Sequence, residues 1–140
     1  MADKICLASP NMCGEEMKYI QKAFDTNWIA PLGENVNEFE KTVAGYVGVK
    51  SAVAMASGTS AIHMALKAVG VEENDIVFCS ALTFSASTNP IRYEKGIPVL
   101  IDSEPKNWNM SPNALRKALR RYMPKAVICV NLYGQAADYD

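Results

Sequence analysis

Apolar positions recur along this chain with two spacings, and the spacing changes near Ser51. Met17, Ile20 and Phe24 fall at helical intervals within residues 14–24, and Val36, Phe39, Val43 and Val47 do so within Glu34–Val47. Gly48 stops that second helix. Short apolar runs then alternate with amphipathic ones. Residues 52–56 lead to a helix over 59–69, 76–79 to one over 85–93, and 98–101 to one over 112–122, with a last strand at 126–130. Strands and helices alternating at these lengths predict an α/β fold of three layers, a largely parallel sheet with helices on both faces. Ser111-Pro112 starts the last helix with an N-cap and a proline in the first turn.

The turn Ser57-Gly58-Thr59-Ser60 joins the first expected strand to its helix. The first N–H groups of a helix lack intrahelical partners and lie at the positive end of its dipole, which makes such a turn a seat for a phosphate. Gly58 allows close approach to the backbone, and the Thr59 and Ser60 hydroxyls can donate to phosphate oxygens. The same residues also read as an ordinary cap and turn. No Gly-x-x-x-x-Gly-Lys-Ser/Thr occurs, and no Gly-x-Gly-x-x-Gly follows a strand, so the two commonest nucleotide loops are set aside. In open parallel sheets ligands lie beyond the carboxyl ends of the strands. That rule gathers residues 57–60, 80–84, 102–104 and 131–135 into one neighbourhood.

With 140 residues, 49% of them hydrophobic, the chain can bury a single core. Its formal net charge is -1 and its basic residues are scattered, with Arg120-Arg121 the only pair of adjacent arginines, so no nucleic-acid partner is expected. No apolar run is long enough for a membrane span and Met1-Ala2-Asp3-Lys4 lacks a secretory pattern, which leaves the cytosol as the expected compartment. Cys6, Cys13, Cys79 and Cys129 form no Cys-x-x-Cys pair and read as reduced thiols, with no metal site. His63 falls with Lys67 and Gly70 on the helix side away from Ile62, Leu66 and Val69, where a solvated or packing role is expected. No base and nucleophile stand together, so no catalytic residue is assigned.

Five blocks stand in the order and spacing of a known family: Asn27-Trp28-Ile29-Ala30-Pro31-Leu32-Gly33, Ser57-Gly58-Thr59-Ser60-Ala61, Leu82-Thr83-Phe84-Ser85-Ala86-Ser87-Thr88-Asn89, Pro98-Val99-Leu100-Ile101-Asp102 and Asn131-Leu132-Tyr133-Gly134-Gln135. Across nearly its whole length the chain resembles the DegT/StrS sugar aminotransferases, pyridoxal-phosphate (PLP) enzymes of fold type I. It is most similar to members that aminate a keto group on a nucleotide-activated deoxysugar, with glutamate as the expected donor. The resemblance implies that Gly58 and Thr59 hold the cofactor phosphate, that Phe84 stacks on the pyridine ring, and that Asn27, Trp28, Ile29 and Ala30 line the sugar pocket. Phe84 also reads as a core aromatic at a strand end, and the 27–30 segment as an ordinary loop.

Two departures stand out. Asn131 occupies a position where the family usually has histidine, and an amide cannot titrate near neutral pH. None of the ten lysines matches the family's cofactor-binding lysine, and Asp138 and Asp140 precede its ring-nitrogen carboxylate. The resemblance therefore implies the amino-terminal part of an incomplete fold type I large domain. Residues 1–35 supply a helix and the substrate loop, and 36–140 the α/β core. A homodimeric parent is expected, with this stretch inactive and prone to association when alone. The alternative is a truncated relative that binds only a phosphate ligand or a protein partner.

Overall fold

The computed structural model describes residues 9–139, so Cys6 and Asp140 lie outside the described residues. Two compact units divide between Ala54 and Met55.

The first unit holds helices α1 (Glu16–Asp25) and α2 (Glu34–Val47). Helix α2 has the bounds its apolar spacing predicts and ends on Gly48, whose φ of 77° is left-handed. Helix α1 starts later than the expected residue 14, because Gly14 has φ 91° and cannot belong to a right-handed helix. The Glu16 carboxylate accepts the N–H groups of Cys13 and Gly14 at 2.7 and 2.8 Å. Its own backbone N–H first, and then these bonds, stabilise the charged form and push its pKa down to about 2.

The expected strand over 52–56 is not one. A strand needs a neighbouring row of N–H and C=O groups, and no ladder forms there; the Ala54 N–H donates instead to the Glu40 carboxylate at 2.7 Å.

The second unit is the layered part. Helix α3 (Gly58–Ala68), strand β1 (Ile76–Ser80), helix α4 (Asn89–Tyr93), strand β2 (Ile97–Ile101), helix α5 (Pro112–Leu119) and strand β3 (Ala126–Ile128) follow in order. The sheet is parallel in the order β2-β1-β3, and Phe78 pairs with Val99 on one side and Val127 on the other. Alternation along β1 sends its side chains to two cores. Val77 and Cys79 pack with Leu66, Val71 and Ile91 beneath α3 and α4, whereas Phe78 packs with Ile101 and Met110 beneath Ala114 and Leu115 of α5. Helices thus cover both faces, as the sequence predicts. Burying the Phe78 ring contributes about 1.5–3 kcal/mol.

Three expected elements are shorter than their patterns. The helix over 85–93 is instead a 3-10 turn, Ser85–Ser87, followed by α4. Pro90 has no N–H to continue an α ladder back to Ala86. Helix α5 stops at Leu119 rather than 122, and its end closes with the Arg121 and Tyr122 N–H groups both donating to the Ala118 carbonyl at 2.9 Å. Strand β3 stops at Ile128 rather than 130, because the Val130 N–H turns to the Ser80 hydroxyl at 3.2 Å. Among the described residues no helix is long and apolar enough to cross a membrane.

Candidate functional site

The start of α3 leaves donors without acceptors. Ser57 is the N-cap, with extended backbone, and its hydroxyl accepts the Ser60 N–H at 3.2 Å. The Ser57 carbonyl takes the Ala61 N–H at 3.0 Å. The Gly58 and Thr59 N–H groups then donate to nothing among the described residues, and neither does the Thr59 hydroxyl. No acidic side chain lies in this first turn to compete for them. A Cβ built on Gly58 meets no heavy atom within 4 Å. No neighbour in the chain therefore requires glycine there; its bare backbone faces open space. Two free N–H groups, a hydroxyl and the helix dipole beside an open approach fit a phosphate monoester dianion.

Phe84 caps the Ser85–Ser87 turn, which packs against both α3 and α4. A bond of 2.7 Å between the Thr83 and Ser87 hydroxyls clips that turn. The ring is 79% exposed, so the alternative reading as a core aromatic does not hold, and its faces are free to stack.

The other loops at the carboxyl ends of the strands differ in use. Asp102 and Glu104 accept N–H groups of their own turns, from Ser103 at 2.8 Å and from Lys106 and Asn107 respectively. Both carboxylates are local turn formers. After β3, a second 3-10 turn, Leu132–Gly134, contains two successive left-handed residues, Tyr133 at φ 50° and Gly134 at 84°. Asn109, only 2% exposed, grips this turn from the loop before α5. Its Oδ1 accepts the Leu132 N–H at 2.9 Å, and its Nδ2 donates to the Gln135 and Ala136 carbonyls at 3.0 and 3.1 Å. Sequence reasoning missed Asn109, because a single amide in a polar loop carries no local signal of partners so far along the chain.

In the first unit, Trp28, Ile29 and Ala30 line a cleft of about 540 Å³ together with Lys22, Thr26 and Glu34. Asn27 is not part of its lining; it adopts φ 52° and turns the chain out of α1. The Trp28 indole N–H donates to the Leu32 carbonyl. A Cβ on Gly33 would come within 2.5 Å of Trp28 Cδ1, so any other residue there would push the indole from its place. Lys22 and Glu34 pair at 2.6 Å and tie α1 to α2. The expected phosphate and ring residues therefore stand in one unit, and the expected sugar residues in the other.

His63 is half-buried. Its Nε2 bonds to Glu94, whose other oxygen takes Lys67 Nζ at 3.0 Å, while the Tyr93 ring stands edge-on to the imidazole with the ring centres 5.5 Å apart. The imidazole hydrogen bond first, and Lys67 second, hold the Glu94 carboxyl below its ordinary value. Cys13, Cys79 and Cys129 are free thiols. Burial pushes Cys79 up to about 11 and Cys129 in the same direction.

A three-layer α/β unit whose first covering helix opens on free N–H groups is the cofactor-side architecture of fold type I aminotransferases. Its structural relatives share that fold. The chain belongs to the DegT/DnrJ/EryC1/StrS aminotransferase family, which matches residues 10–140.

EpsN of Bacillus subtilis strain 168, named as a pyridoxal phosphate-dependent aminotransferase, is 57% identical over 100% of this chain and 37% of its own length. The GDP-perosamine synthase of Caulobacter vibrioides is 41% identical over 98% of this chain and 37% of its own. Spr1654 of Streptococcus pneumoniae, titled a sugar aminotransferase and solved in PLP and PMP forms, superposes with a TM-score of 0.84 at 26% identity, covering 96% of this chain and 34% of that one. The chain thus spans little more than a third of the length of the relatives it matches. The cofactor these likenesses indicate is pyridoxal 5′-phosphate.

Proposed function

We propose that the protein carrying this chain transfers an amino group, with glutamate as donor, to a keto group on a nucleotide-activated deoxysugar. The supporting observation is the pair of free N–H groups at Gly58 and Thr59, with open space at Gly58 where a Cβ would stand, in a chain of aminotransferase family. In this reading those N–H groups and the Thr59 hydroxyl bind the cofactor phosphate, and the exposed Phe84 ring stacks on the pyridine face and sets its plane. Pyridoxal phosphate, when bound, supplies the electron sink that lets an amino group leave one carbon and enter another. Trp28, Ile29 and Ala30 shape the pocket for the sugar, with Asn27 setting the entry of that loop. The nucleotide-sugar assignment draws support from the name of the Caulobacter relative.

The protein acts in the cytosol as a homodimer. The 140 residues alone hold the cofactor reversibly and do not transaminate, since none of their ten lysines stands at the family's cofactor-binding position.

The experiment is a PLP titration of the full-length protein, followed by absorbance, with glutamate and a nucleotide-linked keto-sugar then added and the sugar product weighed by mass spectrometry. Saturable cofactor binding and an aminated sugar are expected. Saturable binding with an unchanged sugar would refute the substrate assignment, and absence of binding would refute the whole reading. For the 140 residues alone, borohydride treatment should trap no covalent adduct; a trapped adduct would refute their inactivity.

A further inference from the structure

Asn109 is buried, belongs to none of the five family-like blocks, and satisfies three backbone groups of one loop. The Leu132–Gly134 turn places Tyr133 and Gly134 in left-handed conformations one after the other, and a non-glycine residue there is disfavoured. Such a turn needs an external anchor. Asn109 Oδ1 holds the turn's entry at the Leu132 N–H, and Nδ2 bridges its exit at the Gln135 and Ala136 carbonyls. Asn109 is itself fixed from below, because its own N–H donates to Asn107 Oδ1 at 2.9 Å.

The anchored loop presents Asn131 in one orientation. The Ala137 N–H can only donate, and it reaches Asn131 Oδ1 at 3.0 Å; the Tyr139 hydroxyl adds a second bond to that oxygen at 2.7 Å. A flipped carboxamide would set its own amino group against the Ala137 donor, so that bond fixes the orientation, and Nδ2, which has no partner among the described residues, is left as a donor. The loop stands at the carboxyl end of β3, next to the carboxyl end of β1, where the Val130 N–H reaches Ser80. The chain after Ser80 runs directly to Phe84 and the turn packed on α3.

We propose that Asn109 is a positioning residue of the cofactor-binding end of the sheet: its buried amide locks the Leu132–Gly134 turn so that Asn131 offers a fixed N–H donor to an oxygen of the bound cofactor. This rests on the PLP reading given above. A carboxylate at position 109 keeps the acceptor for Leu132 but loses both donors and faces two carbonyl oxygens.

In the full-length protein, Asn109→Asp is expected to accelerate amide exchange at Ala137 at least tenfold without cofactor, to alter the visible circular dichroism of bound PLP, and to lower kcat at least tenfold at saturating PLP. Asn131→Ala, which removes the donor together with the acceptor of the Ala137 N–H, is expected to give the same change in dichroism, and the double variant no more than either single one. Normal dichroism and kcat in Asn131→Ala would overturn the proposal whether or not Asn109→Asp folds. So would an Asn109→Asp protein that only melts earlier while its cofactor spectrum and kcat stay those of the parent. A parent protein that never binds PLP would overturn the functional reading as well, so the two failures are distinct.

Discussion

Replacing Gly58 by valine separates folding from ligand binding. On the folding side the change is mild. The backbone at Gly58 is not left-handed, and a Cβ there meets nothing within 4 Å. Valine also leaves behind the entropic penalty of glycine while adding that of a β-branched residue, so the net effect on helix stability is within about 0.5 kcal/mol. On the ligand side the isopropyl group fills the approach to the Gly58 and Thr59 N–H groups. Losing one hydrogen bond to a charged phosphate costs about 1.5–3 kcal/mol, which is about a tenfold to 150-fold rise in Kd. The assay pairs a thermal melt of the ligand-free protein with a PLP titration, and inorganic phosphate as competitor reports on the same seat. A variant that melts with the parent and binds PLP within about twofold of it would refute the phosphate assignment. Weaker binding with an unchanged melt would support it.

Other outcomes follow from the same geometry. Ser57→Ala removes the acceptor of the Ser60 N–H and should lower stability by about 1 kcal/mol, with Ser57→Asn restoring most of it in a denaturant melt. Phe78→Ala opens a cavity in the middle of the sheet and should cost about 3–5 kcal/mol in urea unfolding. Glu94 is held below its ordinary pKa of 4.5 by His63 and Lys67, so its contribution is present above that value and lost as the pH falls through the lower folded one. Melting temperature measured against pH below 4.5 should therefore fall less in Glu94→Gln than in the parent. With iodoacetamide at mildly alkaline pH, exposed Cys13 should be alkylated well before Cys79, whose thiol is buried and raised to about 11, as peptide mass mapping would read.

What the sequence disclosed was local, and what it withheld was long-range. Helix α2 and strands β1 and β2 follow from apolar spacing and nearby stop residues, and the cap at Ser57 from four adjacent residues. Residues 52–56 carry a strand-like run, but whether a run becomes a strand depends on a partner row that spacing does not reveal. The split at Pro90 was readable in principle, since the proline lies in plain view inside the expected helix. The order β2-β1-β3 and the grip of Asn109 on the turn after β3 join segments far apart in the chain. The exposure of Phe84 likewise depends on how the turn after β1 packs, so the sequence left its two readings balanced.

The middle position of β1 sets a timetable for synthesis. Its first flanking row, Ile97–Ile101, leaves the ribosome soon after it, but the second, Ala126–Ile128, is made much later. Until then Val77, Phe78 and Cys79, which end with no solvent exposure at all, have one bare flank, and non-local pairing of this kind is slow and invites capture by chaperones or by other chains. A translational pause ahead of Ala126 would hold the most deeply enclosed strand among the described residues open at its most vulnerable moment.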